Sequence, residues 1–193
     1  MRIVLASQSP RRKDILKTVG VKFEVSPADI DETVPDTFSP AEAVCEISRR
    51  KAAAVLQRYP GEDVFIIAAD TVVSIGGEIL GKPKDEEDAR RMLRMLSDAP
   101  NYVWTGYTLL TREKIYTAAE CTAVYFRALS EKEIDAYIAS GEPFDKAGGY
   151  GIQEKGDIFV RRIEGDYFNV VGLPICALYE AAKREFGIEL RQL

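Results

Sequence analysis

The sequence predicts an α/β (α+β) fold, a mixed twisted sheet flanked by helices, and two lobes with a cleft between them would suit it. Three observations carry this. Apolar runs of strand length, Ile3-Val4-Leu5 and Val64 to Val73, are separated by segments of helical periodicity. Two long strand-like stretches, Tyr102 to Leu110 and Ile115 to Phe126, read as a hairpin turning at Thr111 to Lys114. Ser39-Pro40-Ala41-Glu42 and Ser130-Glu131-Lys132-Glu133 are capping boxes that open helices.

The elements follow in order. Ile3-Val4-Leu5 is a short buried strand. Ser9 supplies an N-cap hydroxyl and Pro10 fits the first helical position. Ile15, Leu16 and Val19 form that helix's buried face and Gly20 stops it. Lys22 to Val25 is a short strand before the acidic run Asp29-Ile30-Asp31-Glu32-Thr33. The helix opened at Ser39 runs to about Tyr59, with Val44, Ile47, Ala52, Val55 and Leu56 inward. Val64 to Val73 is a central strand, and Gly76-Gly77 turns it into Glu78-Ile79-Leu80. Asp85 caps a helix through Leu96, with Ala89, Met92, Leu93 and Leu96 inward. The helix after Ser130 ends at Gly141. A Gly-rich loop, Lys146 to Gly151, leads into an Ile158-Phe159-Val160 strand, and Asn169 to Pro174 introduces a final helix to about Phe186.

The chain of 193 residues makes one large domain or two small lobes sharing a core. Its net charge of −5 gives no footprint for general nucleic-acid binding. The N-terminal apolar stretch is too short for a signal peptide, and Asp70 interrupts the longest apolar run. No membrane segment and a cytoplasmic location are therefore expected. Cys45, Cys121 and Cys176 are far apart and read as buried thiols, not as disulfides or a zinc site. There is no histidine. Ser-His-Asp and Cys-His catalysis and His-ligated metals are excluded. A general base must be a carboxylate, lysine, tyrosine or metal-bound hydroxide, and any metal takes oxygen ligands, which points to magnesium or manganese.

Arg11, Arg12 and Lys13 crowd the first turn of the first helix, where the dipole disfavours cations. A solvated basic face is the plain reading of one such residue; three beside free backbone N–H groups point to an anion pocket, most often for phosphate. No P-loop sequence is present. Removing one of these cations should relieve repulsion, so the fold is expected to tolerate it. Asp70 lies inside a buried-strand pattern, where an unpaired carboxylate costs several kcal/mol. It must pair with a cation, bind a metal or transfer protons. Glu32, Lys51 and Lys82 are weaker candidates, since such residues are mostly solvated, although Gly81 and Pro83 fix the backbone around Lys82. The Gly-rich segment permits close approach to a ligand, and Gln153 at its end could read a base edge through a paired donor and acceptor.

Leu5-Ala6-Ser7-Gln8-Ser9-Pro10-Arg11-Arg12, Ala69-Asp70-Thr71-Val72, Gly81-Lys82-Pro83, Asp145 to Gln153 and Val171-Gly172-Leu173-Pro174 together resemble the Maf family of nucleoside triphosphate pyrophosphatases. The resemblance runs in order from about Ile3 to Leu178, and implies a single Maf-like domain over residues 1–193. It implies a fold similar to the inosine-triphosphate pyrophosphatase (Maf/Ham1) fold, with a nucleotide cleft between two lobes. It also implies a divalent metal and hydrolysis of a nucleoside triphosphate to monophosphate and pyrophosphate, as housecleaning of nucleotide pools with a link to cell-division arrest. The family's proton acceptor falls on Asp70, its acidic metal-site partner on Glu32, and its phosphate contacts on Ser7, Arg12, Lys51 and Lys82. Members acting on dTTP and UTP carry Arg, Thr and Gln where this chain has Arg11, Thr71 and Gln153, whereas relatives preferring 7-methyl-GTP carry Trp, Gln and Glu. The chain therefore resembles the dTTP/UTP branch, and a homodimer is an expectation by analogy only. Relatives often carry Gly and His before the Val-x-Thr segment; here Ser97 to Tyr102 stands there, which reads as a loop change. Two alternatives stay open: a non-enzymatic nucleotide-binding regulator of septum formation, and a pyrophosphatase for purines such as ITP or XTP.

Overall fold

A computed structural model describes residues 1–191. The elements run β1 (Arg2–Leu5), α1 (Pro10–Thr18), β2 (Glu24–Val25), α2 (Pro40–Leu56), β3 (Val64–Ile75), β4 (Glu78–Leu80), α3 (Glu86–Leu96), β5 (Pro100–Leu110), β6 (Ile115–Phe126), α4 (Glu131–Ala139), β7 (Val160–Glu164), α5 (Tyr167–Val171) and α6 (Ile175–Phe186). Single turns of 3-10 helix cover Glu142–Asp145, Ala147–Gly149 and Lys155–Phe159. The strands follow the order β2-β1-β3-β5-β6-β7, with β4 paired to β3, in one seven-stranded mixed sheet. The α/β class read from the sequence is the class observed.

The chain divides into two compact units, each assembled from separate stretches of sequence. The first holds Met1–Asp70, Thr105–Glu120 and the chain from Gly172 onward. In it β1 pairs parallel with both β2 and β3, with Leu5 opposite Val25 and Ile67. Parallel pairing needs crossovers, and α1 and α2 supply them. Val4, Ala6, Ala52, Val55, Val64, Ile66, Ala68 and Leu110 pack as its core. The helix α2 lies directly on β5: a Cβ at Gly106 would sit 2.4 Å from the Val44 carbonyl, so no larger residue fits there. The Ser48 and Thr108 hydroxyls meet at 2.9 Å beside that contact.

The second unit holds Thr71–Trp104 and Cys121–Val171. Its core joins Val73, Leu80, Leu93, Leu96, Val103, Phe126, Ile134 and Tyr150, among others. β3 and β4 form an antiparallel pair, Val73 opposite Leu80, and β7 pairs antiparallel with β6 through a bulge at Tyr125/Phe126. Edge-to-face ring contacts, Phe126 on Tyr150 at 4.7 Å and Tyr137 on Phe159 at 5.0 Å, fill the space beneath.

Local signals place most elements well. Ser9, Ser39, Asp85 and Ser130 all cap the helices they precede, and both capping boxes close. Several readings change. The helix α2 stops at Leu56, short of Tyr59. The strand β7 starts only at Val160, because Ile158 and Phe159 belong to a 3-10 turn in which Ile158 is 64 % exposed. The short α5 has no expected counterpart. The thiols are free but not buried: Cys45 is half-buried, and Cys121 and Cys176 are exposed. The Ser97 to Tyr102 segment is not a loop throughout, since β5 begins at Pro100. Asn101 is buried there, donating to the Val124 carbonyl (3.0 Å) and accepting from the Tyr150 hydroxyl (2.9 Å).

Candidate active site

At the carboxyl end of β1 the chain turns sharply into α1, the place where parallel α/β sheets present ligand sites. Ala6 N–H still donates to the Ile67 carbonyl at 2.8 Å, so the turn begins on the sheet. The buried Ser7 hydroxyl accepts from Ser9 N–H at 3.2 Å and from Arg12 Nη1 at 3.3 Å. The Ser9 hydroxyl caps the helix by accepting from Arg12 N–H. Arg12 is not on a solvated face. It points inward, and its Nε donates to the Gly172 carbonyl at 2.7 Å. Burial pushes its guanidinium below the usual arginine range, Asp70 and Glu32 oppose that shift, and Arg11 adds to it. Arg11 and Lys13 are only half-buried. The three first-turn cations therefore divide: one is held in the interior, and two stay near the surface.

Asp70 lies on β3, where its side chain is 11 % exposed. Its Oδ1 is 2.7 Å from the Lys51 Nζ, and the same ammonium stands 2.9 Å from Glu32 Oε1. Lys51 is buried because of its place on α2. Val44, Ile47, Ser48, Lys51, Ala52 and Val55 form one stripe at helical spacing, so the ammonium is carried inward on its aliphatic stem. The expectation of a surface lysine fails here. Glu32 comes from the exposed acidic loop, and that loop is held in place. Arg50, next to Lys51, donates to the carbonyls of Asp31 (2.7 Å) and Thr33 (2.9 Å), one on each side of Glu32. The sequence reading missed Arg50; its only signal is adjacency to Lys51.

Ser7, Arg11, Arg12, Glu32, Lys51 and Asp70 belong to the first unit, and Thr71, Lys82 and Gln153 to the second. In the second unit Thr71 and Val73, two apart on β3, share one face of the strand. The Gly-rich loop packs on that face: a Cβ on Gly148 would lie 2.9 Å from the Val73 side chain, and Gly148 is held at φ +70°. Gly148 N–H donates to the Gly81 carbonyl at 2.9 Å, and Gly149 rests against Pro83. The loop bearing Lys82 and the Gly-rich loop are thereby tied together. Lys82 and Gln153 are both exposed. Lys146 is buried and donates to Asp145 (2.7 Å) and to the Glu142 carbonyl (2.9 Å), with Glu154 at 3.2 Å. It braces the loop from within.

The first unit thus sets a buried guanidinium, a buried ammonium and two carboxylates at the carboxyl end of parallel strands. Residues 2–185 match the family described as Maf-like protein, and the chain belongs to that family. A protein of Bacillus thuringiensis subsp. konkukian named dTTP/UTP pyrophosphatase is 46 % identical over 189 residues, covering 98 % of this chain and 97 % of its own. One of Bacillus cytotoxicus with the same name is 47 % identical over 183 residues, covering 95 % of each. Among solved structures, the Ham1 protein of Staphylococcus aureus aligns with a TM-score of 0.45 at 17 % identity, over 65 % of this chain and 72 % of that one. A HAM1 protein of Coxiella burnetii aligns at 0.43 and 18 % identity, over 65 % and 73 %. No helix among the described residues is long and apolar enough to cross a membrane.

Proposed function

We propose that this protein hydrolyses dTTP and UTP to the monophosphate and pyrophosphate. The names of its relatives support the substrate class, and one structural observation carries the chemistry: Asp70 and Glu32 meet on a single cation, the Lys51 ammonium. Two carboxylate oxygens converging on one positive centre suit a hard divalent ion such as magnesium or manganese. Among the described residues no three His, Cys, Asp or Glu side chains cluster for a metal. The protein would therefore supply Asp70 and Glu32, and phosphate and water oxygens the remaining ligands. When bound, that ion withdraws charge from the phosphate oxygens.

The side chains divide the remaining work. Ser7 and Arg12 stand fixed at the head of α1 to receive phosphate oxygens, with Arg12 held in one orientation by Gly172. Lys51, once its carboxylates are engaged elsewhere, is a mobile ammonium within reach of the same anion. The family resemblance assigns a further phosphate contact to Lys82, on the loop that Gly148 ties down. Asp70 accepts the proton of the water that attacks the α-phosphorus, and pyrophosphate leaves. Phosphoryl chemistry asks mainly for such positioning and charge compensation. The family resemblance assigns base selection to Arg11, Thr71 and Gln153, and a uracil or thymine edge offers an acceptor and a donor side by side, which the Gln153 amide can meet.

The test is pyrophosphate release across a panel of nucleotides, with magnesium and with excess chelator. Turnover of dTTP and UTP that stops in chelator is expected. Asp70→Asn should lose at least ~10²-fold in kcat, the scale of a general base, while nucleotide binding persists. An active Asp70→Asn enzyme, or full activity in chelator, would overturn the assignment.

A further inference from the structure

The amide of Gln153 has no hydrogen-bond partner among the described residues, yet the loop around it is tied down at almost every other position. Gly156 approaches Gly151 so closely that a Cβ on it would lie 2.8 Å from the Gly151 carbonyl oxygen and 2.9 Å from the Tyr137 hydroxyl. The ends of the 151–156 segment are therefore pinched together, with Gln153 near its tip. The pinch closes on a polar pedestal beneath the loop. Glu142 Oε1 accepts from the Tyr137 hydroxyl (2.9 Å) and from Gly156 N–H (3.3 Å), and its Oε2 accepts from Lys155 N–H (3.2 Å). The Tyr137 hydroxyl in turn accepts from Gly151 N–H at 3.2 Å. On the other side the buried Lys146 ammonium faces Glu154, and its stem packs against Gly151.

We infer that Glu142, acting with Tyr137 and Lys146, is a positioning residue for base discrimination: it holds the 151–156 loop so that the Gln153 amide meets the pyrimidine edge in one orientation. This rests on the proposed reading of Gln153. The physical reason is entropic. A surface glutamine explores many rotamers on a mobile backbone, and ordering it on binding costs part of the energy its hydrogen bonds return. A carboxylate that gathers two backbone N–H groups and a hydroxyl fixes the backbone beforehand and leaves only the side chain to order. Burial and the bond to Glu142 push the Tyr137 phenol well above its usual range, so it stays a donor at any working pH.

Cytosine distinguishes a positioned amide from a merely nearby one, because it presents a donor and an acceptor where uracil presents an acceptor and a donor. The readout is the ratio of kcat/KM for UTP over CTP in the intact enzyme. Glu142→Gln keeps the shape but cannot accept at both terminal atoms. Tyr137→Phe keeps the ring on Phe159 and removes the hydroxyl, so it serves if the first variant folds poorly. Each should lower the ratio by about tenfold, the scale of a hydrogen bond to a charged group, through a higher KM for UTP with kcat nearly unchanged. Gln153→Ala should lower the ratio by at least as much, and Glu142→Gln added to it should lower it no further. If Gln153→Ala collapses the ratio and both pedestal variants leave it intact, the positioning role is wrong and the base-reading role stands. If Gln153→Ala leaves the ratio intact, the reading of Gln153 fails and the inference falls with it. Equal losses in kcat for both nucleotides would mark Glu142 as support for the fold alone.

Discussion

Replacing Lys51 by Met tests whether the Asp70–Lys51–Glu32 cluster is a site held ready for a cation. Methionine keeps the unbranched stem on the buried stripe of α2, so packing against Ile47, Ala52 and Val55 survives and the change is chiefly electrostatic. Removing one partner of a fully buried pair costs about 3–5 kcal/mol, because the other charge is left uncompensated. Here the two carboxylates differ. Glu32 is 56 % exposed and can turn to water, whereas Asp70 is 11 % exposed and cannot. The loss should fall near the lower end, about 3 kcal/mol. At about 2–4 °C per kcal/mol for a chain of this size, the melting temperature should drop by roughly 6–12 °C. The assay is thermal unfolding at about pH 8, far above the ordinary carboxylate range. Magnesium supplies the decisive arm. In the wild type an incoming divalent ion must displace the ammonium, whereas in Lys51→Met it meets bare carboxylates. An ion at 100 times its Kd adds about 2.7 kcal/mol, enough to restore most of the loss. Magnesium should therefore raise the melting temperature of Lys51→Met more than that of the wild type. An unchanged melting temperature, or a larger magnesium effect in the wild type, would refute the reasoning.

Arg12→Ala should weaken triphosphate binding by ~1–3 kcal/mol. It should also lower the melting temperature without ligand, contrary to the expectation from helix-dipole repulsion, because the Gly172 carbonyl and Ser7 lose their buried donor; calorimetry and unfolding on the same sample check both. At α4, hydrogen bonding from Arg127 and then from Ser130 holds the Glu133 carboxyl down to about 2, against an ordinary 4.5. A depressed carboxylate contributes stability that is present above pH 4.5 and lost as the pH falls through about 2, so the wild type should lose melting temperature faster than Glu133→Gln across that window, and parallel curves would refute the role.

What the sequence made legible was what local chemistry decides. Ser9-Pro10, Ser39-Pro40 and Asp85 announce helix starts through their own hydroxyls and carboxylate, and the structure uses each as a cap. Gly76-Gly77 turns β3 into β4 because both glycines sit at positive φ. Neither the 3-10 turn through Ile158 nor the α5 turn could be read this way. Ile158-Phe159-Val160 has strand composition, and the antiparallel pairing of Val160 with Phe126 fixes where the strand begins. Asn101 was misread for a related reason. A polar residue after a proline looks like loop, and its burial depends on two partners farther along the chain, the Val124 carbonyl and the Tyr150 hydroxyl.

The cluster at Asp70 shows a finer boundary. Its burial was legible, since Phe65 to Ala69 on one side and Val72-Val73 on the other leave no solvent face, and the cost of an unpaired carboxylate there demanded a partner. The partner was legible too, though not by inspecting lysines one at a time. Lys51 lies four residues after Ile47 and four before Val55, on the stripe that must face the sheet for α2 to cross between parallel strands. A buried cation on that stripe is as costly alone as a buried anion on the adjoining strand. Two separate violations of the burial rule, opposite in sign and joined by one crossover, are each explained only by the other, and the 2.7 Å contact between them is the result. Glu32 had no such signal. Its loop has no periodicity to give it a face, and its approach to Lys51 depends on Arg50 gripping the backbone on either side, a contact that exists only once α2 has docked.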